Sequence, residues 1–560
     1  MKILTYFKKN AVFISFALIF ILAFILRILF INRPDGLWYD ELVIYNEISK
    51  PSLWAVIVDT IKIDIHFPLY NSLLYLWSKI FSTSDVALKF LSVVFSMATV
   101  VVSFFIGKNI KNSFLGIITM FIFAINSYQI YYSQEVKMYS LLYLLLCLNF
   151  LYLVKIIKNS EKLKYFIVFS IFSYLVLITY TSALVFIFVE YFLLSLYFYF
   201  YSKKAIKNFN LSLLTLFILN IPTFFIYLYN IDKFKSFHTS VYSDYSSLLV
   251  AFQNYLTPVF FAQATNPPHY FQTLISNLSL INVVFVILPL MISAYFLYRG
   301  LKLKDKSITV LASLISLFLI SAVLAFKFSN FPLLSRYLSF ILPLLLVCLS
   351  FGIESCIAKS NFSRVLFVAF ILINLLYLVF SNNSVYKISR CGYKPLANYV
   401  NEFASNGDVL VVWNNPNIID KYLENDLQKL VLLKNFAYTS DEILYNEDKL
   451  NKMKLDERKE FLREALISKE IPSNNILLLN TIQHHFKGKK FILTTTQNFD
   501  DFDRNSFIDL VNDEQKLKEM PYNSLLTIYA ILNIKDFCNQ NFKLINQKKD
   551  GYFVVYVFQM

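Results

Sequence analysis

The sequence predicts a polytopic α-helical membrane protein with a C-terminal extracytoplasmic α/β domain. Hydrophobic residues make up 57% of the 560 residues and charged residues only 16%, and the mean hydropathy is +0.54, which is too apolar for a water-soluble chain. The apolar residues fall into runs of roughly 17 to 25 residues, the length with which a helix crosses a bilayer. There are about 11 such runs, at approximately 11–31, 86–107, 113–131, 136–157, 164–180, 182–201, 209–229, 277–298, 307–326, 338–357 and 363–381.

The lysines and arginines between these runs predict the orientation of the protein in the membrane. If the N-terminus lies inside, all five later connections on the cytoplasmic side are basic, as the positive-inside rule requires. They lie near residues 108–111, 155–164, 203–207, 299–306 and 359–364. We therefore expect a multi-pass protein of the plasma (inner) membrane, with a cytoplasmic N-terminus. The outer face would carry the loops 32–85 and 230–276 and everything after about residue 382.

Charge and glycine content exclude two classes of function. The formal charge of +15 marks topology rather than a nucleic-acid partner, because a basic patch that binds phosphates clusters on one soluble face. The nine glycines include no G-x-x-x-x-G-K or G-x-G-x-x-G frame, so the sequence has no nucleotide-phosphate cradle. An ATP-driven pump on this chain alone, and direct use of a nucleotide sugar through a dinucleotide-type fold, are therefore not expected.

The composition changes after about residue 382, which predicts a transmembrane domain over 1–381 and a soluble domain over 382–560. In the soluble part, a helix-like stretch from Tyr393 to Ser405 ends at Asn406-Gly407 and is followed by a hydrophobic strand, Asp408 to Trp413. Further strand-like runs lie at 475–480, 490–495 and 552–558. This pattern predicts an α/β module, whose role is either that of a structural lid, which we favour, or substrate binding.

The first outer loop opens with an aromatic pair that is followed at once by two acidic residues. Trp38 and Tyr39 would lie at the headgroup level, which places Asp40 and Glu41 at the outer membrane surface. Because adjacent residues of a helix or strand point in different directions, the two carboxylates should have different roles. They either belong to a site or are solvated charges that cap an interfacial helix, and on this loop alone we favour the second interpretation.

A further candidate in the same loop is His66, which precedes Pro68. The proline is well placed to start an amphipathic surface helix. The histidine is a substrate contact, a metal ligand, or a residue that caps or packs against a helix. A lone histidine is more often of the last kind, and we favour that over metal binding.

Polar residues also crowd the short connection at about 131–137. A transmembrane helix is expected to start near Ser133, which places Gln134 and Glu135 in the first turn, where the helix dipole favours a carboxylate. Lys137 would lie on the same face as Ser133. The alternatives are a substrate site and a capped helix with a snorkelling lysine. Consecutive polar or hydroxyl-bearing side chains make the second alternative less convincing here than in the first loop.

Before the tenth helix, Arg336 and Tyr337 are expected at the outer interface. An arginine at this level either holds a lipid phosphate through two parallel hydrogen bonds or anchors the helix end. The sequence favours neither interpretation over the other.

Together, four segments resemble the GT-C superfamily of membrane glycosyltransferases, in the branch that uses dolichyl- or undecaprenyl-phosphate sugars and includes protein O-mannosyltransferases and lipid A aminoarabinose transferases. They are Leu37-Trp38-Tyr39-Asp40-Glu41; His66-Phe67-Pro68-Leu69-Tyr70 with Trp77; Ser133-Gln134-Glu135-Val136-Lys137-Met138-Tyr139; and Arg336-Tyr337 with Pro343. Their order and membrane side match the family. This sequence departs from it at Phe67, where the family usually has a second proline, and at Lys89 and Lys137, where it usually has arginine. Lysine keeps the charge but lacks the planar fork of arginine.

The resemblance implies the GT-C fold and a glycosyltransferase activity. One sugar would move from a polyprenyl-phosphate donor to a glycan, lipid or protein acceptor on the outer side, usually with inversion, as in glycosylation in the cell envelope. Asp40 would act as the general base, with Glu41 orienting the site. Lys137 and Arg336, with Arg27 as a further candidate, would stabilise the departing phosphate.

The resemblance also implies that Gln134, Glu135, His66 and Tyr337 contact the donor or the substrate. Some relatives use a divalent metal ion, and Glu135 is a candidate ligand, but a single carboxylate is too little to assign a metal site. The sequence itself requires no cofactor. Metal dependence therefore stays open.

Two other functions are compatible with many helices and outward charges. A transporter or lipid flippase of envelope glycolipids would be expected to show internal repeats with broken helices at matching positions. No repeat is visible in the sequence, and the candidate acidic residues are predicted at the outer surface rather than in mid-membrane. A polymerase or ligase of whole glycans would need a larger acceptor cleft in the loop 230–276, which the sequence does not exclude.

Overall fold

In this computed structural model, the described residues are 2–64, 66–181, 183–201, 205–229, 288–329, 339–380, 392–412, 418–431, 480, 482–496, 506, 509, 522–550 and 553–560. The chain divides into two compact units. The helical unit comprises Met1–Arg33 and Glu47–Ile388, and the C-terminal unit comprises Pro34–Asn46 and Ser389–Met560. The segment Pro34–Asn46, which contains Asp40 and Glu41, is thus part of the C-terminal unit.

The helical unit is built almost entirely from apolar α-helices. The second helix begins in the C-terminal unit. Two short helices follow it, and the long helices come after them. The helices are α1 (Lys2–Ile28), α2 (Tyr39–Ile48), α3 (Leu53–Ile63), α4 (Leu69–Ile80), α5 (Asp85–Ile110), α6 (Ser113–Ile125), α7 (Ser127–Ser133), α8 (Tyr139–Lys158), α9 (Leu163–Leu177), α10 (Ala183–Tyr201), α11 (Ile206–Tyr229), α12 (Leu288–Leu301), α13 (Lys306–Ser329), α14 (Ile341–Ile357) and α15 (Asn361–Phe380).

The lengths of these helices confirm the prediction of a polytopic membrane protein. Within the described residues, five helices are long and apolar enough to cross a membrane, or six if the bent pair α6 and α7 is one span. Each of the apolar runs seen in the sequence contains a helix, although residues 277–287 of the eighth run lie outside the described residues. Four shorter apolar helices accompany the long ones. The number of spans, about 11, stays a prediction.

The run predicted over 113–131 is not one straight helix. The chain bends by 60° between α6 and α7, because Asn126 leaves the helical conformation with φ −65° and ψ 117°. Its side chain then caps the second helix by accepting a hydrogen bond from the Gln129 amide at 3.0 Å, as asparagine commonly does at a helix start. A hydropathy pattern measures apolar length, and it does not show where the backbone breaks.

Polar side chains link several helices inside the helical unit. Asn149 of α8 donates a 2.9 Å hydrogen bond to Ser173 of α9. Ser170 of α9 lies 2.6 Å from the hydroxyl of Ser212 in α11, and Tyr191 of α10 donates to Ser170 at 3.2 Å. Such bonds between membrane helices contribute about 0.6 to 2 kcal/mol each, so they fix the packing of α8 to α11.

The C-terminal unit contains a mixed five-stranded sheet and two described helices. The helices are α16 (Lys394–Phe403) and α17 (Tyr522–Asn541), and the strands are β1 (Val409–Val412), β2 (Gln428–Val431), β3 (Lys490–Thr496), β4 (Lys543–Asp550) and β5 (Phe553–Gln559). The strand order is β2-β1-β3-β5-β4. β1 is parallel to β2 and β3, whereas β5 is antiparallel to β3 and β4. All four residues of β1 are buried, as expected for a central strand covered on both faces.

The predicted α/β module is confirmed, with differences at its edges. The helix predicted from Tyr393 to Ser405 runs over Lys394–Phe403, and Gly407 in the turn before β1 has a φ of +83°, a conformation that glycine adopts without strain. Of the strand predicted over 475–480, residues 475–479 lie outside the described residues. The sequence pattern missed β2 and β4, because edge strands that carry lysine and polar residues lack a hydrophobic alternation.

Candidate active site

The connection between α7 and α8 is held by two neighbouring elements. Gln134 donates from Nε2 to the carbonyl oxygens of Arg27, at 3.0 Å, and Leu29, at 2.6 Å, at the end of α1. The carbonyl oxygen of Glu135 accepts a 2.5 Å hydrogen bond from the Ser92 hydroxyl of α5. The backbone of residues 134–137 is therefore fixed against two helices that lie far from it in the sequence.

The helix that follows starts later than predicted. Ser133 is the last residue of α7, and α8 begins at Tyr139 after Met138. Glu135 therefore lies in a buried turn between two helices, and the expectation that it belongs to the first turn of a helix is wrong. The short helix α7 is not visible in the hydropathy pattern, and the polar residues lie between α7 and α8 rather than in the first turn of α8.

Arg27 is completely buried, with 0% of its surface exposed. Its guanidinium donates to the Ser96 hydroxyl at 2.8 Å and to the carbonyl oxygens of Ala124 at 2.9 Å and Phe123 at 3.1 Å. A buried charge is tolerated when such hydrogen bonds surround it. These contacts join α1 to α5 and α6 and indicate a packing role for Arg27.

Glu47 lies near the connection between α7 and α8, and the sequence patterns did not identify it as a candidate residue. Only 3% of its surface is exposed, and its Oε2 accepts a short hydrogen bond from Nδ2 of Asn71. The other oxygen, Oε1, is buried and accepts no hydrogen bond from the described residues. One carboxyl oxygen of Glu47 is therefore hydrogen-bonded, and the other has no hydrogen-bond donor among the described residues.

Burial is the largest influence on the charge of Glu47. Burial, followed by the negative charge of Asp64, raises the pKa of Glu47 to about 8, because both disfavour the carboxylate. Lys137 and the hydrogen bond from Asn71 act in the opposite direction. Lys137 therefore lies close enough to Glu47 to act on it electrostatically. Glu47 belongs to no acidic pair or recognised motif in the sequence, so no sequence pattern identifies it as a site residue.

His66 connects the first loop to the junction of α9 and α10. Its Nδ1 lies 3.2 Å from the hydroxyl oxygen of Thr181, and its ring stacks on Tyr180 with a centroid distance of 4.8 Å. The ring of Tyr180 lies in turn 5.9 Å from that of Tyr139, the first residue of α8. His66 thus packs on Tyr180 near the start of α8, and its role, in packing or in substrate contact, stays a prediction.

Asp40 and Glu41 occupy the first turn of α2 and differ in their surroundings. Glu41 is fully buried and accepts a 3.1 Å hydrogen bond at Oε2 from the Trp38 amide, which caps its own helix. Asp40 is only partly buried. Burial and the neighbouring charge of Asp40 raise the pKa of Tyr39, which keeps that phenol protonated. Of the two acids, Asp40 is therefore the more exposed.

The remaining candidates are distributed as follows. Arg336 and Tyr337 lie outside the described residues. Lys89, which stands where the family usually has arginine, is buried in α5.

Among the residues that the structure describes, no group of three or more histidine, cysteine, aspartate or glutamate side chains has an arrangement that could hold a metal ion.

No protein-family model and no curated protein matches the sequence. Among solved structures, the apo oligosaccharyltransferase of Archaeoglobus fulgidus is similar over 92% of this chain and 73% of its own, with a TM-score of 0.49 and 11% identity. Apo ArnT from Cupriavidus metallidurans is similar over 98% of both chains, with a TM-score of 0.49 and 10% identity. Archaeal AglB from A. fulgidus, in complex with an inhibitory peptide and a dolichol-phosphate, is similar over 90% of this chain and 71% of its own, with a TM-score of 0.46 and 10% identity. The chemistry of this chain therefore has to be argued from its own residues.

Proposed function

We propose that this protein is a membrane glycosyltransferase that moves a hexosyl or pentosyl group from a polyprenyl-phosphate donor to an acceptor on the extracytoplasmic side of the plasma membrane. The observation that carries the proposal is the fixed connection at residues 134–137. It carries Lys137, which acts electrostatically on the buried Glu47, and it is bound to α1 through the Gln134 side chain and to α5 through the Glu135 carbonyl. A cation fixed in advance is what a departing phosphate requires.

The reaction has a simple balance of atoms. The oxygen or nitrogen of the acceptor forms a bond to the anomeric carbon of the sugar as the bond from that carbon to the phosphate oxygen breaks. The electrons of the broken bond leave with the phosphate, and the acceptor loses one proton to a base. The products are the glycosylated acceptor and polyprenyl phosphate, with inversion at the anomeric carbon.

Asp40 supplies the base in this proposal. It lies partly exposed at the start of α2, where a carboxylate can receive the proton of an incoming hydroxyl or amine. Glu41 has a different environment, because it is buried and accepts the Trp38 amide. Glu41 therefore orients the turn that carries Asp40 rather than exchanging a proton.

Lys137 stabilises the leaving phosphate, together with Arg336. The partial exposure of Lys137 lets it meet a phosphate, and its neighbour Glu47 holds a proton near neutral pH, since its pKa is about 8. A neutral Glu47 leaves most of the lysine charge for the donor. Arg27 and Gln134 support this arrangement through the hydrogen bonds that fix the connection to α1.

Reconstitution with a lipid-linked sugar tests the function. The full-length protein in lipid nanodiscs is supplied with undecaprenyl- or dolichyl-phosphate sugars and with envelope extracts as acceptors, and both released polyprenyl phosphate and glycosylated product are quantified. The proposal expects the two products to form in equal amounts. Movement of the intact lipid across the bilayer without release of polyprenyl phosphate would instead show a flippase, and transfer of whole glycan chains would show a polymerase or ligase.

A further inference from the structure

The segment that carries Asp40 folds with the end of the chain. Residues Pro34–Asn46, here the Asp40 segment, belong to the same compact unit as Ser389–Met560. The sequence suggested instead that this segment is part of the transmembrane domain, and it favoured a structural lid as the role of the C-terminal domain. The contacts within the C-terminal unit show which residues hold the segment.

Three hydrogen bonds bind the backbone just before Asp40. The Leu37 amide donates to the Tyr422 hydroxyl at 2.9 Å. The Leu37 carbonyl accepts from the Tyr393 amide at 3.0 Å, and the Asp35 carbonyl accepts from the Lys394 amide at 3.3 Å. Both backbone groups of Leu37, three residues before Asp40, are therefore bound by residues near the start of α16 and by Tyr422.

Glycines permit the two backbones to approach each other. Gly36 has a φ of +71°, and a Cβ at this position would lie 2.7 Å from the Tyr422 hydroxyl and 2.8 Å from Cβ of Lys394. A Cβ on Gly392 would overlap the carbonyl group of Asp35. The contact thus uses two of the nine glycines in the chain, and neither position has room for a side chain.

The segment is also held on the far side of Asp40. The ammonium group of Lys421 lies 4.1 Å from the centre of the Tyr45 ring, a distance at which a cation is attracted to an aromatic face. Lys421 and Tyr422 belong to one short helical turn, Asp420–Tyr422. A single turn of the C-terminal domain therefore contacts the segment both before and after Asp40.

We propose that the C-terminal α/β domain is the element that positions Asp40, with Tyr422, Gly392 and Gly36 as positioning residues for the transfer reaction. This inference rests on the proposed function, because it gives Asp40 the role of the base. A base acts only when it lies within hydrogen-bond reach of the proton it removes. A displacement of about 1 Å in such a group can cost roughly 100-fold in rate, so the contacts of the Asp40 segment set the rate without touching the substrate.

Hydrogen exchange tests the positioning directly in the full-length protein. Tyr422→Phe keeps the aromatic ring but removes the acceptor for the Leu37 amide, so peptides over 34–46 should exchange faster than in the wild type. Peptides over β1 and β3 should be unchanged. Lys548→Met is the control, since it removes an exposed ion pair with Glu402 elsewhere in the same domain and should leave residues 34–46 protected. Unchanged exchange over 34–46 in Tyr422→Phe, or loss of protection across the whole domain, would overturn the proposal.

Turnover measurements test the consequence for the reaction. Tyr422→Phe and Gly392→Ala should lower kcat by roughly 10- to 100-fold with the donor KM unchanged. Lys548→Met, the control of the exchange experiment, removes only an exposed ion pair with Glu402 and should keep near wild-type kcat. Faster exchange over 34–46 with unchanged kcat would overturn the positioning role while leaving the glycosyltransferase proposal intact. Absence of any transfer by the wild type would instead refute the proposed function, and the exchange data would still report whether Tyr422 holds the segment.

Discussion

Asn71 holds the carboxyl group of Glu47, because its Nδ2 donates to Glu47 Oε2 and, at 3.2 Å, to the Thr60 hydroxyl. This contact gives a pH-dependent prediction. Glu47 has a pKa of about 8 in the folded protein and an ordinary value of 4.5. Between these values the folded protein retains a proton that the unfolded chain has lost, so stability should fall as the pH rises through this window.

Glu47→Gln should reduce that fall, because glutamine resembles the protonated acid and cannot ionise. The measurement is the apparent melting temperature of the purified protein in detergent at about pH 4 and about pH 8.5, on either side of the window. Glu402→Gln is a suitable control, since Glu402 is exposed and lies in the C-terminal unit. An equal loss of melting temperature in the wild type and in Glu47→Gln would show that Glu47 does not retain the proton.

Lys137→Ala should weaken use of the donor. Loss of one charge-assisted contact to a phosphate costs about 1.5 to 3 kcal/mol, which corresponds to roughly 10- to 150-fold in kcat/KM. Lys108→Ala removes an exposed lysine from the last turn of α5 and should have no such effect. If Lys137→Ala combined with Arg336→Ala retained normal donor affinity and turnover, the phosphate would have to bind elsewhere.

Substitution of His66 distinguishes a role in packing from a role in contacting the substrate. His66→Phe keeps an aromatic ring to stack on Tyr180 but loses the contact with Thr181. We expect a modest fall in melting temperature and a change in turnover of no more than a few-fold, about that of one neutral hydrogen bond. Thr181→Val should behave in the same way. Severe loss of turnover at an unchanged melting temperature would assign His66 to the substrate instead.

The orientation of the chain can be tested by cysteine labelling in intact cells. Cys147, Cys348, Cys356 and Cys538 are buried free thiols, so replacing Cys391 by serine leaves a background with little accessible thiol. A cysteine introduced at the exposed residue Asp426 should react with a membrane-impermeant reagent, whereas one at Lys304 should react only after lysis. The reverse pattern would contradict the positive-inside assignment.

Much of the fold could be predicted because its signal is local. An apolar run of membrane-spanning length implies a helix whatever it packs against, and α5, α8 and α10 lie where such runs predict them. The break at Asn126 and the late start of α8 at Tyr139 were not predicted, because a capping residue inside an apolar run leaves the average hydropathy unchanged.

The candidate site was harder to predict, since it depends on contacts between distant residues. Gln134 was selected for its place in a polar turn, and the structure shows that it binds the end of α1, 107 residues earlier. Glu47 stood outside every motif, and only the fold brings it to Asn71 and Lys137. The attachment of Leu37 to Tyr422 joins residues 385 positions apart, which no local pattern encodes.

The rate of transfer by Asp40→Asn tests the central claim most directly. Asparagine keeps the size and hydrogen-bonding capacity of aspartate but cannot accept the proton, so transfer from a donor that the wild type uses should fall by about 100- to 10,000-fold at an unchanged melting temperature. Asp426→Asn, an exposed position of the same unit, should remain active, and Glu41→Gln should lose less activity than Asp40→Asn. A folded Asp40→Asn protein that transfers sugar at the wild-type rate would remove Asp40 from the chemistry and contradict the proposed mechanism.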